Sequence, residues 1–314
     1  MNMPIDIASA RTDLKKKLLL ILNGKTAGDS ELRQAIQAIR EQGYCADIRV
    51  TWEAGDAEKF ADEVAGNSDV TVVAVGGDGT VNEVVNGLLK RGKPKATMGI
   101  VPMGTANDFS TSMGIVKGNP RAALELVLQS SPVWVDAGWI NGKVFINVAS
   151  GGFGAEVTAD TSPELKRAIG GGAYALTALV MTLKARPYHG RLITPDKTYE
   201  GAMIMMAVGN GRQAGGGTHI TPHAVINDGL LDVMVVPDHE SHRIPHLLAA
   251  LTELKLGSTE HFHYLRCAHL TIESDDELQF NLDGEPVRGK HFEFKVLPAC
   301  LALCLPHDSS LLGG

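Results

Sequence analysis

The chain has 314 residues, 44% hydrophobic and 21% charged, with a formal net charge of −7. That is enough for two domains, or one large one, around a substantial core. The acidic balance argues against a nucleic-acid partner, which needs a basic face, and against holding an anionic membrane by net charge alone.

Lys15-Lys16-Lys17 ahead of Leu18-Leu19-Leu20-Ile21-Leu22 has the outline of a signal peptide, but the apolar run stops after five residues at Asn23-Gly24. It is too short for a signal's hydrophobic region and reads as a first strand. Strands are predicted over 18–23, 46–51, 70–75 and 97–101, with helices over 30–42, 56–65, 81–89 and 122–129. Strands separated by single helices imply a doubly wound parallel sheet with helices on both faces. Ligands of such sheets bind beyond the carboxyl ends of the strands.

Two strand exits carry the chemistry. The β-branched run 69–75 ends in Gly76-Gly77-Asp78-Gly79-Thr80, which leads straight into a stretch with helical apolar spacing. Glycines let backbone amides reach anionic oxygens, and a helix N-terminus adds partial positive charge. Thr80 can donate to a phosphate, and Asp78 can hold a water or a cation. The loop lacks the Gly-Lys-Ser/Thr of a Walker A motif, and Asn82 stands where a dinucleotide fingerprint needs its third glycine. A tight ligand-free turn is the plain alternative. The next strand exits through Pro102-Met103-Gly104-Thr105-Ala106-Asn107-Asp108.

After Pro132 short apolar runs and glycine turns take over, with strands predicted over 133–140, 144–149, 202–208, 230–236, 265–272, 277–282 and 292–297. This half reads as largely antiparallel, interrupted by helices over 163–185 and 241–256. The longest apolar candidate for a membrane span, 173–183, is too short and ends at Lys184. Cys45, Cys267, Cys300 and Cys304 form no CxxC pair and read as reduced thiols. His219/His223, His242/His246 and His261/His263 have ligand-like spacings without carboxylate or cysteine companions, so structural zinc is not expected.

Two Asp-Gly corners stand out. Val225-Ile226-Asn227-Asp228-Gly229-Leu230 fits a hairpin or a hard-cation site equally well on its residues. Phe280-Asn281-Leu282-Asp283-Gly284-Glu285-Pro286 sets two carboxylates at one turn. They are expected to raise each other's pKa, which suits proton abstraction near neutral pH; a solvent-facing hairpin is the alternative. The glycine-rich 209–217 segment is expected to line a cleft, with Arg212 either near a phosphate or not.

Gly76-Gly77-Asp78-Gly79-Thr80-Val81-Asn82-Glu83 followed by Pro102-Met103-Gly104-Thr105-Ala106-Asn107-Asp108-Phe109 resembles the diacylglycerol kinase catalytic domain. Val50-Thr51-Trp52-Glu53, Gly151-Gly152-Phe153-Gly154, the 209–217 segment and both Asp-Gly corners extend the resemblance to the YegS-like bacterial lipid kinases, from about residue 18 onward. The resemblance implies two domains. A nucleotide-binding α/β domain of phosphofructokinase/NAD-kinase-like type would span 1–135, and an antiparallel β-sandwich for lipid and metal would span 136–314. Whether the last strand returns to the first domain stays open. ATP would be held by Thr51, Val75, Gly76, Gly77, Asp78, Gly79, Thr80, Val81 and Thr105. Mg²⁺ would be the metal, with Ca²⁺ an alternative at a second-domain site made by Asp228 and the carbonyls of Val225 and Leu230. Glu285 would be the proton acceptor, with Asp283 orienting it. The implied partner is a lipid met transiently at a membrane surface by a cytoplasmic enzyme; homodimerisation stays open. The rivals are an NAD kinase-like nucleotide kinase and a non-catalytic nucleotide-binding regulator. Diacylglycerol, a sphingoid base and phosphatidylglycerol all present suitable hydroxyls.

Overall fold

A computed structural model describes residues 16–152, 187–238 and 262–313. Phe153, Gly154, the helices predicted over 163–185 and 241–256, His242, His246 and His261 lie outside the described residues.

Strands β1 (Lys17–Leu22), β2 (Cys45–Val50), β3 (Val70–Gly76) and β4 (Thr97–Pro102) pair in parallel in the order β2-β1-β3-β4. Every residue of β3 is buried, as befits an interior strand covered on both faces. Helix α1 (Ser30–Glu41) packs on α5 (Pro120–Gln129), while α2 (Asp56–Val64) packs on α3 (Asp78–Leu89). Local signals set the first pair. Asp29 accepts the Leu32 amide at 2.8 Å to cap α1, and Asn119 accepts the Ala122 amide at 3.0 Å ahead of Pro120. The chain leaves β1 toward β2 and later leaves β3 toward β4, so the direction of winding switches between β1 and β3. A crevice opens at such a point.

The other described strands are β5 (Val133–Ile140), β6 (Lys143–Phe145), β7 (Val148–Gly152), β8 (Tyr188–Ile193), β9 (Thr198–Gly209), β10 (Gln213–Ala214), β11 (Thr218–His219), β12 (Leu231–Pro237), β13 (His263–Cys267), β14 (His269–Leu282) and β15 (Glu285–Leu303). Apart from the parallel four, their pairings are antiparallel except where Leu303 of β15 meets Met98 of β4 in parallel. The nineteen-residue β15 pairs first with β14, then with β5, and ends against β4. Strands β10 and β11 pair apart as a two-stranded sheet. Hydrogen bonds join both halves in one 13-stranded sheet among the described residues. Cys300, Leu301, Leu303, Cys304, Leu305 and Leu311 belong to the same core as the parallel strands, whereas Phe145, Phe280, Phe292 and Phe294 centre a second core. Burial pushes the Cys300 thiol up to about 12 and the Cys304 thiol upward as well, which keeps both protonated.

The closest helix contact depends on one glycine. A Cβ at Gly87 of α3 would lie 2.1 Å from the Glu58 carbonyl oxygen of α2, whereas one at Gly66 would meet nothing within 4 Å. Gly87→Ala is expected to cost about 1–3 kcal/mol through overpacking, read as a lower urea midpoint, while Gly66→Ala leaves the midpoint unchanged or raised. Equal midpoints for the two variants would refute the close approach.

Candidate functional site

The first loop is the junction of β3 and α3. Val75 and Gly76 end the strand, Gly77 is the helix N-cap with φ −96° and ψ −170°, and Asp78, Gly79, Thr80 and Val81 form the first turn. Gly77 offers no side chain to cap the turn, so its leading amides stay available to an anion. Val75 and Val81 are buried and can offer only backbone. Thr80 is also buried, under the loop, where its Oγ1 lies 3.4 Å from Asn23 Nδ2. A Cβ at Gly76 would come within 2.4 Å of that oxygen, so only glycine leaves it room.

The second loop docks on the first. A Cβ built on Gly104 would lie 2.4 Å from Gly77 Cα, and one on Gly77 would lie 3.1 Å from Gly104 Cα. Asn107, in the left-handed region at φ 55°, locks this approach by accepting the Gly104 amide at 2.9 Å and donating to its carbonyl at 2.8 Å. Met103 N–H adds a bond to the Gly76 carbonyl at 2.8 Å. Thr105 stays exposed, and Lys117 donates to its carbonyl.

Asp78 has a task the sequence did not disclose. Its two oxygens accept the Asp108 and Phe109 amides, both at 3.2 Å, which fixes helix α4 (Asp108–Ser112) against the loop. One amide per oxygen leaves each a lone pair for a cation. The Asp108 carboxylate reaches on into the other half, accepting the Gly216 amide at 2.9 Å and the Gly217 amide at 2.6 Å. Gly215, Gly216 and Gly217 have φ of 68°, 90° and 103°, a run that only glycine adopts freely, and it forms an amide nest for that carboxylate. Burial pushes the Asp108 carboxyl upward and the Asp78 charge adds to the rise, against the two amides. Arg212 ties down the Ala224 carbonyl at 2.8 Å and the Ser310 carbonyl at 2.6 Å.

A cavity of about 560 Å³ lies at the switch point, lined by Asn23, Lys25, Thr51, Trp52, Thr80 and Glu83 among others. Asn23-Gly24-Lys25 were missed as site residues, although they exit β1 as the glycine loops exit β3 and β4. Lys25 supplies the cationic side chain that neither glycine loop contains. Thr51 exits β2 beside Trp52, whose amide, with that of Glu53, bonds Asp56 Oδ2 at 2.7 and 3.1 Å. Glu83 accepts the Gly55 and Ala57 amides at 3.2 Å each and so caps α2, whose N-cap Gly55 lacks a side chain. Burial pushes its carboxyl up, with the Glu285 charge adding to the rise.

Asp283 and Gly284 turn β14 into β15 with φ of 49° and 109°, the left-handed pair of a two-residue hairpin. The Asp283 carboxylate accepts three amides between β6 and β7: Ile146 at 2.8 Å, Asn147 at 3.3 Å and Val148 at 3.0 Å. Burial outweighs these donors and pushes its carboxyl up to about 7, with the Asp78 charge adding to the rise. The sequence expectation that Asp283 and Glu285 raise each other thus gives way to burial and Asp78 as the causes at Asp283. Glu285 is exposed, with Lys143 Nζ 3.8 Å from its Oε2.

Val225, Asp228 and Leu230 form a corner whose carboxylate is already engaged. Asp228 Oδ1 accepts the Leu230 amide at 3.0 Å, and Oδ2 is taken by Arg266 Nη2. Asp136 holds the rest of the corner, accepting the Gly229 amide and the Ala299 amide at 2.7 Å each. No group of three or more His, Cys, Asp or Glu side chains among the described residues could hold a metal. At the corner expected to hold a metal, a guanidinium thus meets the one carboxylate of the set.

The diacylglycerol kinase catalytic domain family matches residues 17–140, and the YegS C-terminal NAD kinase beta sandwich-like domain matches residues 147–305. A Pseudomonas aeruginosa protein named a probable lipid kinase YegS-like is 43% identical over 298 residues, covering 95% of this chain and 97% of its own. A Chromohalobacter salexigens protein of the same name is 41% identical over 294 residues, covering 93% and 94%. Among solved structures, one described as a diacylglycerol kinase from Bacillus anthracis strain Sterne superposes with a TM-score of 0.72 at 25% identity, covering 93% of this chain and 97% of its own.

The Asp283 carboxyl, raised to about 7, sits above the ordinary unfolded value near 4. Between those two pH values the native chain binds more protons than the unfolded one. This group's stabilisation is therefore full below about pH 4 and is lost as pH rises through about 7. Asp283→Asn lacks the titration, so the wild-type advantage over it in urea midpoint should shrink across that window. A constant or widening gap would mean that the three amides win and the carboxyl titrates low.

Proposed function

The chain belongs to the diacylglycerol kinase catalytic-domain family, and from that footing we propose an ATP-dependent lipid kinase acting on a hydroxyl of a glycerolipid or phospholipid. The observation that carries this reading is the docking of two glycine loops at Gly77 and Gly104, beside a cavity at the switch point of a parallel sheet. In this reading residues 1–135 bind the nucleotide and 136–314 receive the lipid. Thr51, Thr80, Thr105 and the amides from Gly76 to Val81 hold the nucleotide, with Lys25 adding a cation at the phosphate end. Asp78 is the carboxylate with lone pairs to spare for Mg²⁺ arriving with ATP. Bound there, the ion would neutralise charge on the transferring phosphoryl group.

The acceptor hydroxyl oxygen attacks the γ-phosphorus, the bond to the bridging β–γ oxygen breaks, and ADP leaves. Glu285 takes the hydroxyl proton. Its exposure suits a group that must meet a substrate from outside the fold. Asp283, clamped by three amides, fixes the turn from which Glu285 projects. No helix among the described residues is long and apolar enough to cross a membrane. A cytoplasmic enzyme that visits the membrane surface for its lipid is the corresponding proposal.

Glu285→Gln keeps shape but cannot accept a proton, so lipid phosphorylation should fall by about 10²–10⁴-fold in kcat. The KM for ATP should change little, because the carboxylate acts only as the hydroxyl is deprotonated. The check is a radiolabelled-ATP assay on a lipid extract with product separation. Normal turnover by this variant would move the base elsewhere, with Asp283 the first place to look.

A further inference from the structure

The Asp228 corner is built around a charge of its own. Arg266, on β13, donates through Nη2 to Asp228 Oδ2 and lies with Nε 3.4 Å from Asp232 Oδ2 on the neighbouring strand β12. The Asp232 side chain is 1% exposed, and its other oxygen accepts the Tyr264 hydroxyl at 2.7 Å. The Tyr264 oxygen in turn accepts the His223 amide at 3.3 Å. One guanidinium thus spans an outer carboxylate at the corner and an inner one in the sheet. A buried carboxylate is tolerated only when paired and hydrogen-bonded, so Arg266 satisfies a need that Asp232 creates whatever happens at Asp228.

A divalent ion seated on Asp228 would face that guanidinium at close range. Like charges a few ångströms apart in a partly desolvated site repel strongly, so the corner accommodates one or the other. We propose that the second-domain cation of this chain is Arg266 itself, which bridges Asp228 and Asp232 in the place a divalent ion would hold at residues 225–230. The corner then folds and stays folded without Mg²⁺ or Ca²⁺. The inference concerns this corner alone and does not depend on the phosphoryl-transfer reading.

The test uses the full chain without nucleotide, with metal content measured by mass spectrometry. Thermal unfolding is followed in EDTA and in millimolar Mg²⁺ or Ca²⁺. Wild type should carry no bound divalent ion and melt at the same temperature in all three. Arg266→Met should melt lower by roughly 5–10 °C, since it strands Asp232. Mg²⁺ or Ca²⁺ should recover part of that loss, and the recovery should vanish in Arg266→Met/Asp228→Asn. Wild type holding about one equivalent of divalent ion that Asp228→Asn releases would overturn the proposal. So would an Arg266→Met chain as stable as wild type, or one that is destabilised and ignores both metals. Should Arg266→Met fail to fold, the metal content of wild type against Asp228→Asn decides alone.

Discussion

Backbone amides that no helix or strand ladder consumes must find acceptors, and this fold depends on aspartates to provide them. Asp78 takes the amides of residues 108 and 109, Asp108 those of 216 and 217, Asp283 those of 146 to 148, and Asp136 those of 229 and 299. Each bond is charge-assisted and links segments far apart in the chain. Taken in sequence they bind the β3–α3 loop to α4, α4 to the glycine nest, and the hairpin carrying Glu285 to the strand break beside it. The negative charge concentrated this way is also what a nucleotide-borne cation would relieve, because Asp78 raises the cost of ionising both Asp108 and Asp283.

The parallel half was legible in the sequence almost residue by residue, because buried parallel strands are apolar runs and their helices carry caps. Helix α4 (Asp108–Ser112) was missed, and one boundary error was instructive. The helix predicted over 81–89 begins at Asp78, since Asp78-Gly79-Thr80 looked like turn chemistry and are in fact its first turn. The antiparallel half was less legible for reasons of distance. A single strand over 144–149 splits into β6 and β7 because Asp283, some 135 positions away, draws off the intervening amides. The runs 265–272 and 277–282 were read apart, whereas the chain breaks at Ala268, whose carbonyl accepts the Val296 amide, and then continues through a bulge between Glu273 and Leu278. Strand β8 was missed because His189 and Arg191 interrupt its apolar alternation.

The candidate site divides along the same line. The two glycine loops announce themselves because strand, glycine turn and helix are contiguous. The nest around Asp108 does not, because its donors lie 108 and 109 residues further on. Asp228 shows the converse: an Asp-Gly corner reads as a hairpin or a cation site letter for letter, and the arginine that meets it comes from the facing strand. Motif reading sees what a residue could bind, while its partner is a property of the sheet.

Strand β15 closes the parallel half from the far side of the chain. Its residues from Cys300 onward, with Leu305 and Leu311, fill the core beneath β4 and α5, and Leu303 occupies the sheet position next to Met98. A nascent chain that has delivered residues 16–140 to the ribosome exit therefore holds an open-edged parallel sheet with part of its apolar face uncovered. It must wait for residues 300–311 before that core can seal. At 5–20 residues per second, the interval is on the order of ten seconds or more. During synthesis this half is thus the later of the two to complete its core, even though its local sequence is the more regular.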